Sequence, residues 1–169
     1  MRLTRRLERG AEAGIAGGMA VAVLLLARDV LHLQPLSTPG ALAAGFFGPG
    51  GYFIEIPVAA GIAGGVALGA KVLAFTVLHF LVFSALGVAA SFVLTRCSMS
   101  RTVFGGVVFG LTACTAVFYA GRLIAGSPFH VDQISVTSVL LVNACAGAVL
   151  ALVLQLCAES DERKAMSDT

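Results

Sequence analysis

Two polar side chains interrupt long apolar runs, and these residues are the best suited to chemistry or binding. His79 lies in the run from Val72 to Thr95, and Asn143 lies in the run from Gln133 to Ala158. If each run is a helix that crosses a membrane, a rise of about 1.5 Å per residue places both side chains about 5 to 6 Å to the same side of the helix centres. Polar groups are costly inside a bilayer and are therefore candidates for function. We predict that both point into a helix bundle and hydrogen-bond to each other.

Two further hydroxyl groups accompany this pair. Thr76 precedes His79 by three residues and so shares its helical face, and Thr115 lies at a similar depth in a third apolar run. The competing interpretation is that these polar groups only hold helices together, at about 0.6 kcal/mol and up to about 1.7 kcal/mol per contact. Haem is not predicted, because His32 and His130 are each displaced from His79 by roughly 10 Å along the membrane normal. No cofactor and no metal are expected.

A second polar group gathers at one end of the apolar runs. Thr115, Tyr119 and Arg122 are spaced for one helical face, which would direct Arg122 inward. Because an unpaired charge at that depth is expensive, we predict an ion pair between Asp29 and Arg122. The group is either a set of interface anchors and loop ties or an outer-side pocket for a small polar ligand or a lipid head group. Its members are Arg28, Asp29, His32, Glu55, Lys71, Tyr119, Arg122, His130 and Asp132.

The amino-acid composition indicates whether this chain lies in water or in a membrane. Of its 169 residues, 58% are hydrophobic and 12% are charged, and the mean hydropathy is +0.95. A water-soluble domain does not tolerate such a composition on its surface. A net charge of only +2 excludes a nucleic-acid-binding protein with a strongly basic face. The sequence therefore predicts an integral membrane protein that binds no nucleic acid.

The apolar runs predict an all-α, polytopic fold: a single membrane domain over residues 1–169 that forms an antiparallel bundle of four transmembrane helices. A crossing needs about 20 apolar residues, and the spans are expected at 11–31, 71–95, 101–122 and 136–157, with a tail at 158–169. Pro35, Pro39 and Pro49 make the first part of the stretch at 32–70 an outer-side Gly/Pro-rich loop. We interpret 56–70 as a short interfacial or re-entrant helix, either separate from the second span or continuous with it, and a fifth crossing is the alternative.

Most Lys and Arg residues near the ends of these spans fall on the side of the amino terminus. The positive-inside rule then puts both termini in the cytoplasm. The cationic start of the chain resembles a secretory signal, but Arg28 and Asp29 stand where its small-residue cleavage region should be. We therefore expect an uncleaved first helix.

No arrangement of residues indicates an enzyme. The four cysteines Cys97, Cys114, Cys145 and Cys157 include no CxxC pair, which disfavours a disulfide framework and a zinc site. The sequence also lacks an HExxH spacing, a nucleophile elbow and a phosphate-binding loop. Three sets of glycines four residues apart instead predict close packing of helices: Gly14 with Gly18, Gly61 with Gly65 and Gly69, and Gly106 with Gly110.

Two short patterns carry a resemblance to known proteins. They are Asp29-x5-Pro35-Leu36-Ser37-Thr38-Pro39 after the first span and Leu78-His79-Phe80 in the second. In these segments the chain resembles small, uncharacterised four-span bacterial membrane proteins. The resemblance implies a four-helix fold in the bacterial inner membrane, and it supplies no catalytic residues.

These observations favour a non-enzymatic membrane protein. The leading hypothesis is an accessory or assembly subunit that docks to other transmembrane helices, either copies of itself or a larger respiratory or photosynthetic complex. Its partners would then be the lipid bilayer and those helices. The alternative is a transporter or carrier of a small ligand, a proton or a quinone that uses His79 and the outer charged cluster.

Overall fold

The computed structural model describes residues 3–34, 37–47, 62–94, 98–124 and 135–167. The regular secondary structure in these ranges is entirely helical. In chain order the elements are α1 (Leu3–Leu31), α2 (Ser37–Phe47), α3 (Ile62–Val93), α4 (Met99–Phe109), a π-helical turn (Gly110–Cys114), α5 (Thr115–Ile124) and α6 (Val136–Ser167).

Four helical segments are long and apolar enough to cross a membrane. They are Leu3–Leu31, Gly64–Val93, Met99–Ile124 and Val136–Ser160. A helix satisfies its own backbone hydrogen bonds, which an apolar solvent requires. The predicted all-α polytopic bundle is thereby confirmed, and the chain is a multi-pass membrane protein.

The second span begins earlier than the predicted start at residue 71. Helix α3 starts at Ile62, so 62–70 continues directly into the second span, whereas 56–61 lies outside the described residues. The expected start at Lys71 assumed that its charge marks the membrane boundary. Lys71 is instead inside the helix and only 3% exposed. With no proline or polar turn between 62 and 70, nothing in the backbone interrupts the helix.

Helix α2 is a short helix outside the four spans, and it lies in the stretch predicted to be a loop. Pro39 is the third residue of this helix. In the first turn a backbone N–H has no partner within the helix, so proline is tolerated there. The preceding Ser37 and Thr38 are residue types that favour helix starts. Pro39 therefore lies in the first turn of a helix, and the prediction that it belongs to a loop is wrong.

Close backbone contacts hold the spans in a definite order. Helix α1 packs against α3 on one side and α6 on the other, and α6 packs against α4 and the π turn. A Cβ on Gly87 of α3 would lie 2.5 Å from the Cα of Gly14 in α1. Likewise, a Cβ on Gly147 of α6 would lie 2.9 Å from the Cα of Gly110. We call these contacts the α1–α3 seam and the α4–α6 seam.

The three predicted glycine sets have different outcomes. Gly14 lies in the α1–α3 seam, and Gly106 and Gly110 lie in the α4–α6 seam, so these glycines permit close packing as expected. Gly65 and Gly69 do not, because a Cβ at either position would meet no atom of the described chain within 4 Å. Gly61 lies outside the described residues.

Candidate functional site: a cavity beneath helix α2

The bundle contains a cavity of about 540 Å³. Side chains of α1, α2, α3, the π turn and α5 line it, together with a single residue of α6, Asn143. Most of the lining is aliphatic or aromatic. The polar and cationic members are Thr38, Thr76, His79, Cys114, Arg122 and Asn143.

The cavity is open to its surroundings within the membrane-spanning part of the chain. Thr76 on α3 and Val117 on α5 both line it, and both are exposed. Helix α3 packs on α1 and α2 and has only a minor contact with α6. The cavity is therefore accessible from a bilayer rather than sealed inside a closed core.

Helix α2 covers one end of the cavity. Leu42 of α2 is buried in a cluster with Phe46, with Phe75 of α3 and with Phe118 of α5. The rings of Phe46 and Phe75 lie 5.8 Å apart between centroids, and a Cβ on Gly121 of α5 would lie 3.4 Å from the ring of Phe46. One short helix thus connects the second and third spans.

A buried carboxylate fastens α2 to the end of α1. Asp29 is 1% exposed, and its two carboxylate oxygens accept hydrogen bonds from the backbone N–H of Thr38 at 2.7 Å and from the hydroxyl of Thr38 at 2.6 Å. Arg28 lies 3.6 Å from the same carboxylate. A negative charge is favourable at the N-terminus of a helix, because the first N–H groups there are unpaired and the helix dipole is positive.

The turn after α1 places Thr38 within reach of Asp29. The backbone N–H of Gln34 donates to Asp29 O at 2.9 Å, and that of Leu33 donates to Val30 O at 3.0 Å. This pair of bonds forms a Schellman motif, which ends a helix with one residue in the left-handed conformation. Leu33 stands at that position with φ of 56°, although glycine is the usual residue there.

The sequence predicts Arg122 as the ion-pair partner of Asp29, and this prediction is wrong. The structure gives this carboxylate other partners, Thr38 and Arg28. Arg122 is exposed and lines the cavity. The prediction did not include α2. Without this helix, no N-terminus was available near Asp29 to bind its buried carboxylate.

His79 points into the bundle, as expected, but its hydrogen bond differs from the prediction. Its Nε2 lies 3.1 Å from the carbonyl oxygen of Gly18 in α1, and its ring contacts three phenylalanines. The centroid distances are 6.1 Å to Phe75, 5.4 Å to Phe80 and 4.7 Å to Phe83. The imidazole is therefore fixed between two spans by one polar contact and several aromatic ones.

Asn143 also faces the cavity, and its partner is Thr115 rather than His79. The amide nitrogen of Asn143 donates to the hydroxyl oxygen of Thr115 at 3.2 Å, and that hydroxyl donates to Gly110 O at 3.3 Å. The carbonyl of Gly110 begins the π turn, a feature often found at functional sites. The predicted His79–Asn143 hydrogen bond is wrong, because His79 bonds to a backbone carbonyl of α1 and Asn143 bonds to a hydroxyl of α5.

The remaining predicted site residues are divided between the cavity and its margins. Thr76 lines the cavity, and its hydroxyl donates to Val72 O of its own helix at 2.8 Å. Tyr119 packs edge-on against Phe118 with centroids 5.4 Å apart. The predicted polar residues Glu55, His130 and Asp132 lie outside the described ranges.

Sequence reasoning missed the contribution of α2, which supplies Thr38, Pro39, Leu42 and Phe46 to the lining. The run Ser37-Thr38-Pro39 contains the signal that could have revealed it, since hydroxyl residues followed by proline are typical of a helix start. The partner of His79 carried no such signal. Gly18 O is a backbone atom, and side-chain patterns do not reveal it.

The arrangement can hold an apolar molecule and orient one polar group of it. Ligand cavities in proteins are typically about 300 to 1,000 Å³, mostly apolar, with a few placed polar groups. The cavity beneath α2 has all three properties. Comparison of this chain with protein-family models, with curated proteins and with solved structures gave no match.

Proposed function

We propose that this protein binds a small lipid-soluble molecule in the cavity beneath α2 and acts as its membrane carrier or binding protein, without catalysing a reaction. The observation that supports the proposal most directly is the cavity of about 540 Å³ between the spans. Its apolar lining matches the body of such a molecule. His79 and Asn143 offer the few polar contacts that would orient it.

The route into the cavity supports a ligand that arrives through the bilayer. The exposed lining residues Thr76 and Val117 belong to membrane-spanning helices. A molecule dissolved in the lipid would therefore reach the cavity without crossing water. An aqueous transport path has less support, because four helices leave little room for a water-filled pore.

The proposed cellular setting is the bacterial inner membrane, with both termini in the cytoplasm. The distribution of Lys and Arg supports this orientation, and the resemblance to small four-span bacterial proteins supports the membrane. In this orientation α2 lies towards the outer face, and the cavity lies in the outer half of the bilayer.

A substitution that fills the cavity tests the proposal. Ala22 of α1 lines the cavity and is exposed, so Ala22→Phe should place an aromatic ring in the ligand space without displacing backbone. Ala27→Phe is the matched control, because Ala27 is exposed on the same helix but is not part of the lining. Native mass spectrometry of protein extracted from its own membrane in mild detergent would detect retained small molecules.

The wild type and Ala27→Phe should carry the same bound mass, and Ala22→Phe should lose at least about nine-tenths of it, since overlap with a ring removes most of the apolar contact. Equal retention by both variants would contradict binding in this cavity. So would a wild-type protein that carries only the mixture of bulk lipids around it.

Docking to other membrane helices is the second candidate function, and one observation favours it. Gly65 and Gly69 of α3 meet no atom within 4 Å in the described structure, and Gly69 is exposed beside the exposed Leu68 and Leu73. Such a surface lets another helix approach closely. We expect a native-gel band well above the 17.2 kDa monomer that shifts to the monomer in Gly69→Leu. An unshifted band, or a monomer in the wild type, would refute docking through this surface.

A further inference from the structure

The hydrogen bond of His79 determines which of its ring nitrogens carries the proton. A carbonyl oxygen can only accept, so Nε2 must donate to Gly18 O across the 3.1 Å contact. A second proton would charge the ring, and a charge in an apolar membrane cavity is costly. The neutral ring with its proton on Nε2 leaves a lone pair on Nδ1.

That lone pair has no hydrogen-bond donor among the residues that the structure describes. The rings of Phe75, Phe80 and Phe83 surround the imidazole and donate no conventional hydrogen bond. His79 lines the cavity. The cavity lining therefore includes an acceptor nitrogen that no donor of the described residues occupies, and a bound ligand could supply that donor.

The threonine hydroxyls of the lining do not compete with a ligand as donors to Nδ1. The hydroxyl hydrogens of Thr38 and Thr76 are used on Asp29 and on Val72 O. The amide nitrogen of Asn143 donates one of its two hydrogens to Thr115, which identifies the other amide atom as an oxygen, so Asn143 offers the cavity an acceptor and one further N–H. Arg122 is the cationic donor of the lining, but it lies seven residues, or about 10 Å of helix rise, beyond Thr115.

We infer that the cavity selects an amphiphile that carries a hydroxyl group on an apolar body, with the hydroxyl donating to Nδ1 of His79. Phenols, hydroquinones and alcohols belong to this class. The corresponding ketones and ethers are outside this class. Their oxygen carries no hydrogen, so it would place one acceptor against another, the lone pair of Nδ1. This inference rests on the proposed function and names the ligand class of the same cavity.

A matched pair of ligands tests the selection. Para-heptylphenol and para-heptylanisole share ring and chain, and only the phenol can donate. Binding to the full-length protein in lipid nanodiscs, corrected for partition into empty nanodiscs, should be about tenfold tighter for the phenol, the size expected of one hydrogen bond. In His79→Phe the two affinities should become equal. Equal affinities in the wild type would overturn the inference and leave the proposed function standing.

Nitrogen-15 spectra supply a readout that needs no change at His79. Substituting His32 and His130 by glutamine leaves His79 as the one imidazole of the chain. Its Nδ1 resonance should be that of an unprotonated nitrogen, and it should shift with the phenol and not with the anisole. A protonated Nδ1, or equal shifts with both ligands, would overturn the inference. If neither ligand binds better to the wild type than to Ala22→Phe, the proposed function fails together with it.

Discussion

Replacing Gly87 by alanine should remove about 3 kcal/mol from the free energy of unfolding. A Cβ at this position would lie 2.5 Å from both the Cα and the N of Gly14, and it would also meet the carbonyl oxygen of Gly10. These are backbone atoms, which cannot rotate away as the end of a side chain could. Separating α1 from α3 is then the remaining way to relieve the overlap. Overpacking typically costs about 1 to 3 kcal/mol, and rigid backbone on the facing helix places Gly87→Ala at the upper end.

Gly69→Ala is the matched control, since it introduces the same methyl group into the same helix. No atom lies within 4 Å of its Cβ position, and alanine is the better helix former by about 1 kcal/mol. Unfolding of each variant in mixed micelles, followed by circular dichroism against the fraction of denaturing detergent, measures the difference. We expect the free energy of unfolding of the Gly69→Ala monomer to match or slightly exceed that of the wild-type monomer. If Gly87→Ala is equally stable, the α1–α3 seam is not a backbone contact.

The α1–α3 seam also positions the cavity. A Cβ on Gly18 would lie 3.0 Å from the Cβ of Phe83, and the carbonyl oxygen of Gly18 faces His79 one turn away along α3. The same close approach that brings Gly14 against Gly87 therefore brings Gly18 O within hydrogen-bonding distance of the imidazole. Packing of small residues and orientation of the polar group in the cavity have one structural cause.

The spans could be predicted from the sequence because crossing a bilayer imposes a length and a composition on each helix. The pairing of their polar side chains could not. His79 and Asn143 do line one cavity, but hydrogen bonding also depends on the rotation of each helix and on its neighbours. Helix α1 lies between α3 and α6, so His79 meets a backbone carbonyl of α1 before it can reach Asn143.

The position of α2 was hidden for a different reason. A segment of 11 residues is too short to produce a span signal, and its proline and glycines suggest a loop when they are counted without regard to position. What stabilises α2 is tertiary: Leu42 and Phe46 pack between the second and third spans, and Asp29 holds the N-terminus. The local sequence shows the residues that favour a helix start, and it does not show these tertiary contacts.

Replacing Asp29 by alanine should release α2 from the bundle. The carboxylate accepts two hydrogen bonds from Thr38 and is 1% exposed. Hydrogen bonds to charged groups contribute about 1.5 to 3 kcal/mol each, so their loss should cost α2 about 3 kcal/mol of docking free energy. Hydrogen exchange of the α2 amides should then accelerate by about a hundredfold, because 1.4 kcal/mol corresponds to a factor of ten. Amides in the middle of α6 should stay protected.

Thr38→Val is the graded control for this release. Valine preserves the shape of threonine and the backbone N–H bond to Asp29 Oδ2, and it removes the hydroxyl bond to Oδ1. Exchange in α2 should therefore accelerate by only about tenfold. Since Leu42 and Phe46 line the cavity, binding of para-heptylphenol should weaken in the same order, most in Asp29→Ala and less in Thr38→Val. Weakened binding with unchanged exchange in α2 would show that Asp29 acts on the ligand in some way other than by docking α2. Unchanged exchange and binding in Asp29→Ala would show that the aromatic contacts of α2 suffice to hold it.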